Sequence, residues 1–326
     1  MNRRKLLQSL GTVVALPLAA RAQQGAYPAR PVSLVVPFAA GSSSDTLARL
    51  ISSRAATPFG GSFVIDNRPG AGGLVAAQRM ARAAPDGYTL MWGGGTAITH
   101  AVMQADPGYD VMKDFTPIVT LAEHPAVLAV RADRPWKSVQ EVFAAARAAR
   151  EGPLRYGSGG IGTPAHMAAA AMLKLIGAEG IHVPYKGANQ ATLAVEQGEV
   201  DFAFAISNIA LPRHQIGRVR ILVSAGSVRM TALPEVPTLA ESLPGGPVVI
   251  SGSSVIGPAG LSSSVVDKIA SAFSEVMVRD QDLRKRIAEE GGSIVLSNSP
   301  TAYRDEWAIE LKRLRDLIAL SGVRAE

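Results

Sequence analysis

An α/β architecture is the fold class that this 326-residue chain predicts, and three observations carry it. Short runs rich in Val, Ile and Leu alternate with segments of helical periodicity, and Gly-rich turns occupy the junctions. A composition of 47% hydrophobic against 18% charged residues supplies a core and excludes a disordered chain. The length suits two domains at about 150 residues each. Cysteine is absent, which excludes a disulfide framework, a thiolate nucleophile, an iron–sulfur cluster and any Cys-based zinc site.

The elements follow in order. Pro31–Pro37 is a β-branched run bounded by prolines; the turn Ala39–Asp45 and the helical segment Thr46–Arg54 complete an opening βα unit. The pattern recurs with strand Ser62–Asp66, a Gly-rich loop, helix Leu74–Ala84 and strand Tyr88–Trp92. It recurs again with strand Ala126–Val130, helix Ser138–Arg150, strand Leu154–Tyr156, loop Gly157–Pro164 and helix Ala165–Ile176. Further strands are expected at Ile181–Pro184, Asp201–Ile206 and Arg220–Ser224, with helices at Asn189–Gln197, Ser263–Arg279, Gln281–Gly291 and Thr301–Ser321. Such alternation implies mostly parallel sheets covered by helices on both faces.

The N-terminus is a segment apart. It begins with Arg3-Arg4-Lys5, continues through the apolar stretch Leu10–Ala20 and ends on Ala20-Arg21-Ala22, an A-x-A cleavage pattern. Residues 1–22 are therefore expected to be a cleaved signal peptide. The apolar run is too short for about 30 Å of hydrocarbon, and no Cys follows it to carry a lipid. Arg3-Arg4 also resembles a twin-arginine signal, so the Sec and twin-arginine routes both stay open.

The net charge of +6 and the pI near 9.7 suggest nucleic acid until the charges are placed. The leader holds four basic residues and no acid, which leaves 29 basic against 27 acidic residues in the mature chain. The remaining clusters, Arg284-Lys285-Arg286 and Lys312-Arg313 with Arg315, lie in helical patterns and read as solvated faces. No nucleic-acid partner is expected, and 5% aromatic content offers little for base stacking.

Two Gly-rich turns sit at the carboxyl end of a strand and the amino end of a helix, where free N–H groups and the helix dipole attract anions. Ala39–Asp45 adds the hydroxyls of Ser42, Ser43 and Ser44; Gly157–Thr163 repeats the chemistry in the second half. Ordinary βα turns whose Ser residues cap helices look the same, so residue pattern alone leaves both readings open. Gly157, Gly159 and Gly162 satisfy G-x-G-x-x-G, but the next strand ends on Val183-Pro184-Tyr185-Lys186 with no acid for a ribose, which argues against a dinucleotide. No G-x-S-x-G elbow exists, and the five His residues show no metal-ligand spacing. No cofactor, metal or catalytic group is expected.

Several short motifs together carry a family resemblance. They are Val36-Pro37-Phe38-Ala39-Ala40-Gly41 with Asp45 and Ala48-Arg49, Asn67–Gly73, Ala84–Leu90, Gly162–His166, His182–Gly187, Gly198–Asp201, Leu233–Glu241 and Gly257–Gly260. In this order and spacing the chain resembles the solute-binding proteins of the tripartite tricarboxylate transporter family, the Bug receptors, over the whole mature length. The resemblance implies a two-lobed periplasmic binding protein of type II that closes on a carboxylated metabolite and delivers it to a membrane permease; the chain is expected to act as a monomer. It places one lobe at residues 23–124 plus 250–326 and the other at 125–249. By position it nominates Phe38, Ala39, Ala40, Ser42, Ser43 and Ser44, facing Ser158, Gly162, Thr163 and His166, with Gly94, Thr96 and Asn189 on the same edge. Asp201 and Asn208 complete the set. Asp45 and His166 stay divided between touching ligand and shaping their loops.

Three departures from the family pattern bear on the ligand. Ser42 stands where a second Gly is usual, Ala170 where Glu is usual, and Val249–Ile256 has no aromatic ring. Together they favour a small aliphatic acid. A ligand sensor docking to a membrane kinase is the alternative function on the same scaffold, and an exported enzyme a further one. The reading predicts that replacing Ser43 and Thr163 together by Ala weakens acid binding without unfolding the protein.

Overall fold

The computed structural model describes residues 27–148, 152–297 and 299–323. The expected leader, residues 1–22, and the end of the helix expected to reach Arg150 lie outside the described residues. The chain opens with β1 (Val32–Val36), α1 (Ser43–Phe59), β2 (Phe63–Asn67), α2 (Leu74–Ala81), β3 (Thr89–Trp92) and α3 (Gly95–Met103). Next come the long β4 (Phe115–Arg131), α4 (Val139–Ala148), β5 (Leu154–Ser158), α5 (Pro164–Leu175), β6 (Gly180–Pro184), α6 (Ala188–Gln197), β7 (Phe202–Ile206), α7 (Ser207–Gln215) and β8 (Val219–Ser224). The last part holds α8 (Leu239–Ser242), β9 (Ile250–Pro258), α9 (Ser263–Arg279), α10 (Gln281–Glu289), β10 (Ser293–Ile294) and α11 (Pro300–Ser321).

These strands form two sheets that share one member. β1 pairs in parallel with β2 and β3, while β5 pairs in parallel with β6 and β7. Residues Phe115–Pro125 of β4 run antiparallel to β9, and Ala126–Arg131 run antiparallel to β7 and β8. Each sheet is therefore mixed. The expected parallel pairing holds where a helix crosses between successive strands, and the antiparallel pairs form where β9 meets β3 and at the shared β4.

The first eleven residues of β4 were not legible as strand because Pro117 and Pro125 interrupt them. Proline removes a ladder donor, and β4 accommodates it with register shifts between Pro117 and Val119 and between Thr120 and Ala122. Pro125 stands where the ladder to β9 ends, opposite Ile250. β9 itself opens on the polar, Gly-containing run Ser251–Ser254, which shows no alternating apolar pattern. Helices α3 and α7 were also unforeseen: α3 carries two glycines' worth of turn signal and β-branched residues, and α7 contains Pro212.

Two large cores and two smaller clusters beneath α7 and α6 hold the layers. Val32, Leu34 and Val36 of β1 pack with Ile51 and Phe59 of α1 and Phe273 of α9. The second core runs without a break from Val35 and Met91 in the first sheet, through Trp307 and Leu314 of α11, to Met167 of α5 and Phe202 of the second sheet. Helix α11 thus binds both sheets together.

Where β10 pairs with β4, Ser293 opposite Glu123, the neighbouring His124 is fully buried and its ring lies over Gly292. Burial lowers the imidazole pKa to about 4, so the ring packs as a neutral group. A Cβ on Gly292 would lie 2.5 Å from His124 Nε2. Gly292→Ala is expected to cost about 1–3 kcal/mol of stability through overpacking, read as a lower urea midpoint. Adding His124→Ala should remove part of that loss, so the double variant falls short of the sum of the singles.

Candidate functional site

The loop after β1 is built from behind by one buried carboxylate. Asp45 is 3% exposed; its Oδ2 accepts the Gly41 N–H at 2.9 Å, and its Oδ1 accepts Arg49 Nε and Asn67 Nδ2, each at 2.9 Å. Asn67 Nδ2 also donates to the Phe38 carbonyl at 3.0 Å. Desolvation pushes the Asp45 carboxyl upward, but the Arg49, Gly41 and Asn67 donors outweigh it and hold the group below the usual carboxylate range. Asp45 therefore shapes the loop. It leaves Ala39, Ala40 and Gly41 exposed, with Ser42, Ser43 and Ser44 half-buried. Ser42 is the α1 N-cap and accepts the Asp45 N–H at 3.3 Å.

The turn after β3 adjoins this loop. Gly94 is buried, and its N–H donates to Ser254 Oγ at 3.0 Å. Its donor is thus already used, which leaves it a supporting residue. A Cβ on Gly94 would lie 2.8 Å from Tyr303 Oη, so the turn rests directly on α11. Thr96 is half-buried, and its methyl occupies the space over Gly73.

On the second sheet, the loop after β5 is held by two stacked imidazoles. The rings of His166 and His182 are 3.7 Å apart and nearly parallel, with Tyr156 stacked on His182 at 5.1 Å. His166 Nδ1 accepts the Gly162 N–H at 3.1 Å. Desolvation, with His182 adding to it, lowers the His166 pKa to about 4, so the ring is neutral and its proton is on Nε2. Ser158 is 0% exposed; its Oγ lies 2.7 Å from His182 Nε2 and 2.9 Å from the Gly160 carbonyl, and accepts the Gly160 N–H. Ser158 and His166 accordingly stand beneath the loop and fix its shape. Thr163 caps α5 and donates to the Gly160 carbonyl at 2.8 Å. The expected Ser43 and Thr163 double replacement therefore also removes a cap, at about 1 kcal/mol of stability, so it is not a clean binding test.

Two hydrogen bonds close the space between the sheets. Ser43 Oγ donates to Asn208 Oδ1 at 2.7 Å, joining the starts of α1 and α7. Asn189 Nδ2 donates to the Gly41 carbonyl at 2.8 Å, joining the same loop to the start of α6. A Cβ on Gly159 would lie 3.0 Å from the Ala188 N, so the β5–α5 loop lies against that helix start too. The amino ends of α1, α5, α6 and α7 thus face one cleft. Asp201 stands apart at the opposite, amino edge of its sheet, where it pairs with Arg134 and accepts the Arg155 N–H at 2.8 Å. It is a structural anchor there, since its neighbour Phe202 opens β7 and the cleft lies at the strand's other end.

The arrangement offers N–H groups, helix dipoles and hydroxyls to an anion. Among the described residues no group of three His, Asp or Glu side chains converges on a metal position. Nor is any described helix long and apolar enough to cross a membrane.

The sequence pattern of the tripartite tricarboxylate transporter family receptors matches residues 47–319. This chain belongs to that family. Among solved structures, the Bug-type receptor fold is matched by the periplasmic binding protein BugD at 27% identity and a TM-score of 0.83, over 92% of this chain and all of that one. MatC from Rhodopseudomonas palustris, with bound malate, is 31% identical with a TM-score of 0.81, over 90% of this chain and 100% of that one. A second R. palustris protein, with adipate, is 30% identical with a TM-score of 0.83, over 91% and 99%. The tripartite tricarboxylate receptor is a solute-binding protein and not an enzyme, and its fold is the two-lobed α/β fold of periplasmic binding proteins.

Sequence reasoning missed Asn67, Ser254 and Tyr303 as supports of this receptor's site. Asn67 lies in a motif that was legible, but its amide reaches back across the loop only in the folded chain. The neutral His166 gives a pH signature. Its folded pKa of about 4 lies below the unfolded value of 6.5, so as pH falls the unfolded state takes up the proton first. Stability should drop through that window by at most about 1.4 kcal/mol per pH unit, with His124 acting in the same direction. His166→Asn, which keeps an acceptor for the Gly162 N–H, should flatten the dependence of the urea midpoint on pH between 4 and 6.5.

Proposed function

We propose that this receptor captures a small aliphatic dicarboxylate between its two lobes and delivers it, as a monomer, to the permease subunits of a tripartite tricarboxylate-type membrane transporter. The observation that carries the reading is the convergence of four helix amino ends on one cleft, tied by the Ser43–Asn208 and Asn189–Gly41 hydrogen bonds. Malate and adipate, held by MatC and its R. palustris companion, are both aliphatic dicarboxylates and support the ligand class. Ser42, Ser43 and Ser44, the exposed backbone of Ala39 and Ala40, Thr96 and Asn189 are the proposed contacts, with Phe38, Gly41, Gly94, Ser158, Gly162, Thr163 and His166 supporting them.

We take residues 23–124 with 250–326 as one lobe and 125–249 as the other, a division supported by the change of β4 partners between Pro125 and Ala126. Residues 1–22 then direct export to the periplasm, by either route, and are removed. Two or three charge-assisted hydrogen bonds at about 1.5–3 kcal/mol each, together with the exclusion of water on closure, reach micromolar affinity, about −8 kcal/mol. Closure follows because only the closed form lets ligand touch both lobes.

A thermal-shift screen of mono-, di- and tricarboxylates tests the ligand class; an aliphatic dicarboxylate should raise the melting temperature and emerge from incubation chemically unchanged. Ser43→Ala should weaken its binding about tenfold or more, the effect of one lost bond to a charged group, as read by calorimetry. An affinity equal to wild type would remove Ser43 from the site.

A further inference from the structure

Two of the contacts that bridge the cleft are hydrogen bonds, and a third is apolar. Met103 is the last residue of α3, which belongs to the first sheet's side, whereas Gly162 lies in the β5–α5 loop of the second. The thioether occupies the place where a side chain on Gly162 would stand: a Cβ there would lie 2.5 Å from Met103 Cε and 2.7 Å from Sδ. Gly162 also has a φ of +73°, a left-handed conformation that disfavours any other residue. Backbone and neighbour thus fit one another across the cleft.

Helix α3 starts at the Gly94–Thr96 turn beside the serine loop and ends at this contact with the opposite lobe. It runs about 12 Å from that turn to Met103. The α6 and α7 sides of the cleft are closed by polar groups, Asn189 and Asn208. Met103 thus sets an unbranched, adaptable side chain against the β5–α5 loop beside the start of α5.

We infer that Met103 sets the length of the acid that this cleft accepts, an inference that rests on the carboxylate reading above. A short dicarboxylate fits with Met103 seated on Gly162. A longer one must displace the thioether and give up that packing. Truncating the side chain opens room for further methylenes, each of which is favourable to bury. A bulkier ring shortens the space.

The test titrates unbranched dicarboxylates of four, five and six carbons into wild-type protein and into Met103→Ala, Met103→Leu and Met103→Phe, by calorimetry, with circular dichroism as a check on folding. Met103→Ala should raise the ratio of six-carbon to four-carbon affinity about tenfold, the effect of burying two more methylenes. Met103→Leu, close in volume, should leave the ratio unchanged, and Met103→Phe should lower it. The Leu and Phe pair carries the test by itself should the Ala variant not fold. A ratio constant across all variants, or equal weakening at every length, overturns the role of Met103 while leaving the carboxylate reading intact. Failure of the wild type to bind any of the three acids overturns both.

Discussion

Strand β4 has to satisfy the backbone hydrogen bonds of two sheets at once, and the rest of the molecule is arranged around that requirement. A buried N–H or C=O without a partner is costly, so a strand that passes from one sheet to another must change neighbours without a gap. It does so at Pro125, which has no N–H to orphan: the ladder to β9 ends there, and the ladders to β7 and β8 begin at the next residues. The backbone closes the junction from the other side, with the Ala126 N–H donating to the Val249 carbonyl at 2.9 Å and the Val249 N–H to the Ala225 carbonyl at 2.8 Å. With both sheets fixed on one strand and α11 packed against both, the helix-bearing edges are held face to face.

That opposition explains the chemistry of the cleft. Anion attraction comes from helix amino ends and hydroxyls, whose dipoles need no counter-charge when the site is empty. A buried cation would carry a desolvation penalty of several kcal/mol in the same place. The titratable groups instead stand behind the loops. Asp45, ionised and fully bonded, ties Gly41, Arg49 and Asn67; His166 and His182, stacked, shape the Gly162 turn. Loops fixed in this way lose little freedom on binding, which favours affinity without additional contacts.

Much of the fold was legible in single segments. β1, α5, α6, α9 and α11 follow their sequence patterns to within a few residues, because no proline or glycine interrupts the interior of any of them. The parts that were not legible are those where local signals and tertiary needs conflict. The opening half of β4 contains prolines, β9 opens on a polar Ser/Gly run, and α7 contains Pro212, yet all three are placed by partners distant in sequence. Nominated residues separate on the same principle. Ser43 and Asn189 reach across the cleft, whereas Ser158 and Asp201 have the right chemistry but spend it on His182 and Arg134.

The alternation of strand and helix, the Gly-rich turns at strand ends, the family and the kind of chemistry those turns offer are all written in the order of the residues. These are local properties, set by side-chain periodicity and backbone freedom. Which of the polar groups remain available was decided only by tertiary structure, because a hydroxyl or carboxylate is defined by what it touches. Asn208 from beyond β7 and Met103 from the end of α3 meet the loops of the opposite sheet only after β4 has brought the two sheets together.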